Sequence, residues 1–364
     1  MAKAKPARRM QNAPTKALAR SAGGGDRSSQ SFRIQFTLVL SAVYLFLCLY
    51  KIVYHVMWRD EWHSWMIARW AGSLPELYRN HLYEGHPWLW YPCLFAITRF
   101  THNPLAMQVL VVVMMTATVA LVSWRAPMSW LQKLLFAFGY FIFFEYATIS
   151  RSYCLDVLLL FTACLFFPVR RRKPLTFALV LALLAQTVVY GAILAMAMAG
   201  AYAVDLWLES RREGRLVIER WRIALACAIV LLGLACSVWS VLPPKDFALL
   251  RQFPHPAEAV RGIWYGMAPL PRLEHTPEGL EVTHYWWNSH LLEAFPKVEL
   301  SLAIGAFAAA VWLLWRRWAA LGLFLAGATG LLLFAGTQYY GEMRQHGHLF
   351  LLMISPTSAV GTGE

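Results

Sequence analysis

Between residues 58 and 90 the chain reads WRDEWHSWMIARWAGSLPELYRNHLYEGHPWLW. Two adjacent carboxylates, Asp60 and Glu61, stand near its start. His63, His81 and His86 lie within it and His55 just before it, among closely spaced tryptophans. A carboxylate of this kind can take a proton from a hydroxyl while that oxygen attacks an electrophile. Three later stretches carry the complementary groups. The first holds Glu145-Tyr146, Ser150-Arg151-Ser152-Tyr153 and Asp156; the second runs from His284 to His290; the third, Tyr339–His348, holds Glu342, Arg344, His346 and His348. Arginine is suited to the oxygens of a phosphate, so Arg151 and Arg344 are candidate phosphate-binding cations.

Each group also has a plain structural reading. Asp60 and Glu61 open a short helix, where acids suit the helix dipole. On that helix Asp60, His63 and Ser64 share one face, with Trp62, Trp65, Met66 and Arg69 on the neighbouring one. His86 precedes a proline and reads as the start of a helix. Arg151 and Asp156 could hold two helix ends together. The scattered histidines have no spacing typical of a metal site. No metal ligand set is therefore expected and no cofactor is required, although Asp60 and Glu61 would tolerate a divalent cation. No phosphate-binding P-loop and no GxGxxG after a strand is present, so an activated donor must come from the membrane itself.

The elements that must position these groups are apolar helices. Of 364 residues, 59% are hydrophobic and 15% charged, against roughly 45–50% and about 25% in soluble globular chains. The excess lies in long uncharged runs and does not alternate, which predicts an all-α, polytopic transmembrane protein and argues against a β-barrel. The net charge of +13 sits in short clusters between the runs, as topology signals do, and does not suggest nucleic acid as a partner. Six cysteines without paired spacing predict neither a disulfide framework nor a cysteine metal site; Cys93 and Cys154 are expected near an aqueous face.

The runs predict about nine or ten helices, at 34–56, 105–123, 131–147, 153–169, 174–190, 191–208, 221–241, 298–315, 319–337 and from about 347. Residues 1–33 read as a disordered basic cytoplasmic tail, and 34–355 as one membrane-embedded domain. Pro87–Phe100 offers roughly 20 Å of helix against about 30 Å of hydrocarbon, so it is expected to lie in the interface. The basic clusters at Arg125/Lys133, Arg170–Lys173, Arg211–Arg222 and Arg316-Arg317 then fall together on the cytoplasmic side with the tail. Every polar cluster named above falls on the outer face, within a first outer loop (58–104), a long outer loop (243–297) and adjoining helix ends. Pro243-Pro244 ends a helix and opens the long loop. HGHLFLLMI begins a last helix that is expected to break into SPTSAVGTGE, so 356–364 reads as an aberrant or truncated tail.

RDEWHSW, YEGHPWLWY and FEYATISRSYCLD, in that order, resemble the membrane-embedded GT-C glycosyltransferases, nearest to the protein O-mannosyltransferase and aminoarabinose-transferase relatives. The resemblance covers about Ile34–Val169 well and the later helices by general pattern. It implies a GT-C-like fold with interfacial helices in the first outer loop. It implies a polyprenyl-phosphate-linked sugar as donor, and a glycan, lipid or protein as acceptor. Transfer would invert the anomeric carbon at the outer, periplasmic face of a bacterial inner membrane. By that likeness Asp60 is the catalytic base with Glu61 beside it, and His63, His86, Glu145, Arg151, Tyr153, Asp156, Arg344 and His346 surround the substrate. The chain departs from the pattern at His63, where an arginine is expected, and at Pro87-Trp88, where a double proline is. The alternative from another class is a transporter or lipid flippase, which needs ionisable groups deeper in the membrane.

Overall fold

The computed structural model describes residues 16–244, 256–277, 279–282 and 288–360. Residues 1–15, 245–255, 278, 283–287 and 361–364 lie outside them, and with these residues part of the expected tail, loop and C-terminal segment. The helices run in order: α1 (Lys16–Ile52), α2 (Arg59–Trp70), α3 (Leu74–His81), α4 (Trp90–Thr98), α5 (Leu105–Arg125), α6 (Trp130–Ala137), α7 (Tyr146–Thr148), α8 (Tyr153–Phe166), α9 (Pro174–Leu184), α10 (Val189–Glu213), α11 (Arg220–Val241), α12 (Pro256–Met267), α13 (Pro296–Leu314), α14 (Trp318–Thr337) and α15 (Met343–Val360). A π-helical segment, Tyr140–Glu145, precedes α7, and a 3-10 turn, Phe167–Val169, follows α8. One antiparallel hairpin, β1 (Leu273–Thr276) with β2 (Gly279–Val282), stands in the long loop.

Among the described residues, six helical segments are long and apolar enough to cross a membrane: Gln30–Ile52, Leu105–Arg125, Val189–Glu213, Arg220–Val241, Pro296–Leu314 and Trp318–Thr337. The chain is a multi-pass, all-α membrane protein. Their outward faces carry large apolar side chains, Leu231, Leu232, Trp312 and Leu333 among them, as a hydrocarbon surround requires. Their inward faces close, together with α8, α9 and α15, around a core that includes Tyr44, Met115, Leu160, Phe177 and Leu351.

The remaining expected spans are modified, each for a visible reason. The run expected at 131–147 breaks at Phe138-Gly139 and resumes as the π segment. Widening the helical ladder leaves carbonyls without their usual donors, and two side chains of α1 supply replacements. Tyr44 Oη donates to Ile142 O at 2.6 Å, and Lys51 Nζ donates to Phe143 O while lying over the Phe143 ring. The run expected to reach residue 190 ends at Leu184, where Thr187 Oγ1 turns back to Leu184 O at 2.6 Å. At the other end of the chain α15 continues through Ser355-Pro356, where a break is expected. Pro356 has no N–H to donate, and Ser355 Oγ donates to Leu351 O at 2.7 Å.

The shortness of α9 explains where the first loop sits. Its eleven residues rise about 17 Å, little more than half of the roughly 30 Å of hydrocarbon. The loop descends onto its end: Leu89 N donates to Gln186 O at 2.9 Å, and Gln186 Nε2 reaches Gly233 O of α11 at 2.5 Å. The nine residues of α4 span about 13 Å, far too little to cross. This helix packs against α2 and α3, and Arg99 beyond its end donates to the C-terminal carbonyls of α2 at Ala68 and Arg69, at 3.4 and 3.1 Å. The three loop helices thus cap the bundle above its short members. A Cβ on Gly191 would overlap Asp156 Oδ1 and lie 2.6 Å from Thr187 Oγ1; the start of α10 can press this closely on α8 only through glycine.

Candidate functional site

Helix α2 buries Glu61, Ser64, Trp65 and Ala68, the i, i+3, i+4, i+7 stripe of a helix packed on one side. That stripe separates the two adjacent acids. Glu61 is fully buried. Its Oε1 accepts from Ser150 N at 2.6 Å, its Oε2 from Trp58 N at 2.7 Å, and His55 Nε2 approaches both oxygens at 3.2 and 2.9 Å. The contact to Trp58 N is the returning half of a capping box. One carboxylate therefore joins the α1–α2 turn to the loop that enters α8, with no face open to solvent. Asp60, one residue earlier, points outward, and its side chain is 50% exposed.

Arg151 holds the head of α2 from the other side. Its Nη1 donates to Asp60 O at 2.7 Å and to Ser64 Oγ at 3.2 Å, while Nη2 reaches His86 Nε2 at 2.6 Å. A guanidinium only donates, so His86 Nε2 must accept and the ring is neutral with its proton on Nδ1. Burial, and then the Arg151 cation, push His86 well below the ordinary histidine range. His81, buried beneath it, turns Nε2 to His86 O at 2.6 Å and is shifted down by burial. Glu84, within YEGHPWLWY, has no role in the expectations above. It is largely buried, pairs with the exposed His63 at 2.9 Å and accepts from Tyr91 Oη at 3.0 Å, which ties α2 to α3 and α4.

Arg344, at the start of α15, completes the cluster. Its Nη2 lies 2.7 Å from Glu342 Oε2 and 3.7 Å from Asp60 Oδ2, with its guanidinium carbon 5.7 Å from the centre of the Trp58 ring. Its carbonyl accepts from Tyr146 Oη at 2.7 Å. Gln345 beside it donates to Tyr153 Oη at 2.8 Å, and Asn288 of the long loop accepts from Met343 N at 3.1 Å. Glu145 is buried in the π segment and accepts from Tyr140 Oη at 3.0 Å. Asp156 lies deeper, with Thr187 Oγ1 at 2.7 Å and His348 Nε2 at 3.2 Å. His348 Nδ1 faces Gln345 O at 2.9 Å, and a carbonyl can only accept, so Nδ1 is the donor in that contact.

Two expected members part company here. His346 does not join Arg344. It is buried against α12, where a Cβ on Gly262 would overlap its ring and one on Gly266 would lie 2.5 Å from its carbonyl. On a helix two residues subtend about 200°, whereas four bring a side chain nearly back to the same face; His348 is thus the histidine on the side of Arg344. The expectation for Cys154 also changes. It is buried, with Sγ 3.7 Å from Met114 Sδ, and all six cysteines are free thiols. Among the described residues no three His, Cys, Asp or Glu side chains gather so as to hold a metal ion, and the carboxylates of Asp60 and Glu61 turn to different partners.

The histidine environment makes stability depend on pH in a definite direction. An unfolded histidine titrates near about 6.5. His86 and His81 are held below that by burial, and burial followed by the nearby Arg261 cation pushes His290, in the long loop, down to about 4. Below about 6.5 the unfolded chain binds more protons than the folded one, so stability is complete above that value and declines as pH falls. The melting temperature should hold between neutral and mildly alkaline pH and drop progressively toward pH about 4. His86→Gln keeps an acceptor for Arg151 but cannot titrate, and should show a shallower decline. An identical decline in the variant would mean that His86 is not held neutral against Arg151.

Comparison with family models, with curated proteins and with solved structures finds no match for this chain.

Proposed function

We propose that the chain is a GT-C-type glycosyltransferase. It moves a sugar from a polyprenyl-phosphate-linked donor to the hydroxyl of a glycan, lipid or protein acceptor at the Asp60 end of the bundle. The observation that carries this reading is the division of labour around Asp60. The half-exposed carboxylate faces outward at the head of α2, its backbone carbonyl is held by Arg151, and a second cation, Arg344, lies 3.7 Å from its side chain. The acceptor oxygen would bond to the sugar C1 as its proton passes to Asp60, while the C1–O bond to phosphate breaks and its electron pair leaves with the lipid phosphate. A carboxylate suits the first role because deprotonation is concurrent with attack. Cations suit the second because the developing phosphate charge falls beside them. Glu61 acts as an anchor in this reading and Asp60 alone as base. The basic clusters end helices at the opposite side of the bundle, which favours the Asp60 end as the outer, periplasmic face of a bacterial inner membrane and a cytoplasmic N-terminus.

The purified chain, supplied with radiolabelled polyprenyl-phosphate sugars and envelope acceptors in detergent, should transfer label with inversion at C1. The second reading, a transporter or lipid flippase, draws on the buried Asp156–His348 pair, since ionisable groups enclosed by membrane helices are typical of ion and substrate pathways. Substrate uptake into proteoliposomes that lack any sugar donor, with no label transfer, would establish that reading in place of the first.

A further inference from the structure

At the end of the bundle opposite Asp60, a recess of about 540 Å³ opens between α1, α5 and α8. Three cations line it from three separate elements: Arg33 on α1, Arg125 in the last turn of α5, and Lys173 just before α9. Among the described residues, no Asp or Glu lines it. The nearby pair Arg170–Arg171 is different, because Asp205 and Glu209 meet its charges. A fourth cation, Lys133, is buried over the Trp130 ring at 4.7 Å and is close enough to Arg33 to be repelled by it. The three lining charges and Lys133 beside them repel one another, and this arrangement is relieved by an anion. The rest of the wall is apolar, with Leu121, Phe161, Leu165 and Phe166, and the exposed Trp124 stands at the rim. Tryptophan prefers the level of lipid headgroups, and basic pockets between membrane helices suit lipid phosphates. A soluble anion would use the cations but not the apolar wall.

We propose that this recess is a binding site for one anionic glycerophospholipid, with its phosphate among Arg33, Arg125 and Lys173 and an acyl chain along the wall formed by Phe161, Leu165 and Phe166. The site is independent of the chemistry at Asp60 and stands or falls separately from it. The competing explanation is that these cations only signal topology, in which case any equal charge at this end would serve.

The test uses the full chain in phosphatidylcholine vesicles containing a minor fraction of phosphatidylglycerol. The protein is extracted in mild detergent, and retained lipid is counted by native mass spectrometry. The triple variant Arg33→Gln/Arg125→Gln/Lys173→Gln should retain about ten-fold less phosphatidylglycerol or lower still. Arg211→Gln/Arg212→Gln/Arg220→Gln removes the same charge from the same end and should retain it as the wild type does. Leu165→Trp leaves every charge in place, fills the recess and should also lose the lipid. Equal losses in the two charge variants, or full retention in Leu165→Trp, would overturn the site. Displacement of the lipid by millimolar inorganic phosphate would overturn it too, by showing a site for soluble anions. If the first triple variant does not remain monodisperse, Leu165→Trp against the wild type decides alone.

Discussion

Asp60→Asn is expected to lower sugar transfer by roughly 10²–10⁴-fold, the range over which a positioned base contributes, with no measurable change in melting temperature. The expectation rests on what the substitution leaves intact. The amide is nearly isosteric. Arg151 binds the Asp60 backbone carbonyl and Ser64 Oγ, neither of which changes. Arg344 loses a carboxylate 3.7 Å away but keeps Glu342 at 2.7 Å. An ion pair with one partner half exposed to solvent is worth about 0–1 kcal/mol, so the fold should not register its loss. Proton acceptance is what disappears. Asp60→Glu should restore part of the activity, limited by the displaced carboxylate. The decisive measurements are single-turnover transfer from a polyprenyl-phosphate sugar and thermal unfolding on the same preparations. Full transfer by the asparagine variant would remove Asp60 as the base, whatever else the site does. Loss of transfer together with a lowered melting temperature would mean that Asp60 acts by holding α2.

The spans were legible in the sequence because a membrane helix satisfies its own backbone and must look apolar to its surroundings. Composition therefore reported α5, α11, α13 and α14 to within a few residues. The interruptions were not legible. Whether residues 131–147 form one helix depends on Tyr44 and Lys51, about a hundred residues earlier, taking the carbonyls that the π segment frees. Whether α9 continues past Leu184 depends on Thr187 turning back and on a loop from residue 89 meeting Gln186. Local pattern contains neither fact. The short first-loop helix was visible from length alone, and α4 is indeed too short to span.

Within the site, the residue types were legible and the partners were not. Arg151, His86 and Asp60 stood out as charged groups in an apolar chain, and they meet. That Arg151 would grip the backbone of Asp60 and leave its side chain open depends on a loop placed by Glu61. Two placements could be read from helix periodicity. On α2, the stripe through Trp65 and Ala68 already selects Glu61 as the inward acid, and on α15 the four-residue step from Arg344 leads to His348, past His346. Glu84 had a weaker signal, a carboxylate one residue before the glycine of an EGHP turn, and its pairing with His63 needed the folded loop.

The largest structural effect is expected at Glu61. Glu61→Ala removes the acceptor for two backbone N–H groups, at Trp58 and Ser150, and for the ring of His55, all at a fully buried position. Each stranded donor costs about 1–3 kcal/mol once water cannot reach it, and breaking a buried charged contact by deleting one side commonly costs about 3–5 kcal/mol. The variant should unfold at a clearly lower temperature, or fail to accumulate in the membrane. Glu61→Gln keeps one carbonyl oxygen but turns an amide N–H₂ toward either Ser150 N or Trp58 N, so one backbone donor remains unmet and an intermediate loss is expected. Transfer should fall in proportion to the folded fraction, because Glu61 reaches Arg151 and Asp60 only by placing the loop through Ser150. Activity per folded molecule therefore separates the two acids: near wild type for Glu61→Gln, nearly absent for Asp60→Asn. If Glu61→Gln melts as the wild type does yet transfers no sugar, the anchoring role is wrong and the buried acid takes part in the chemistry.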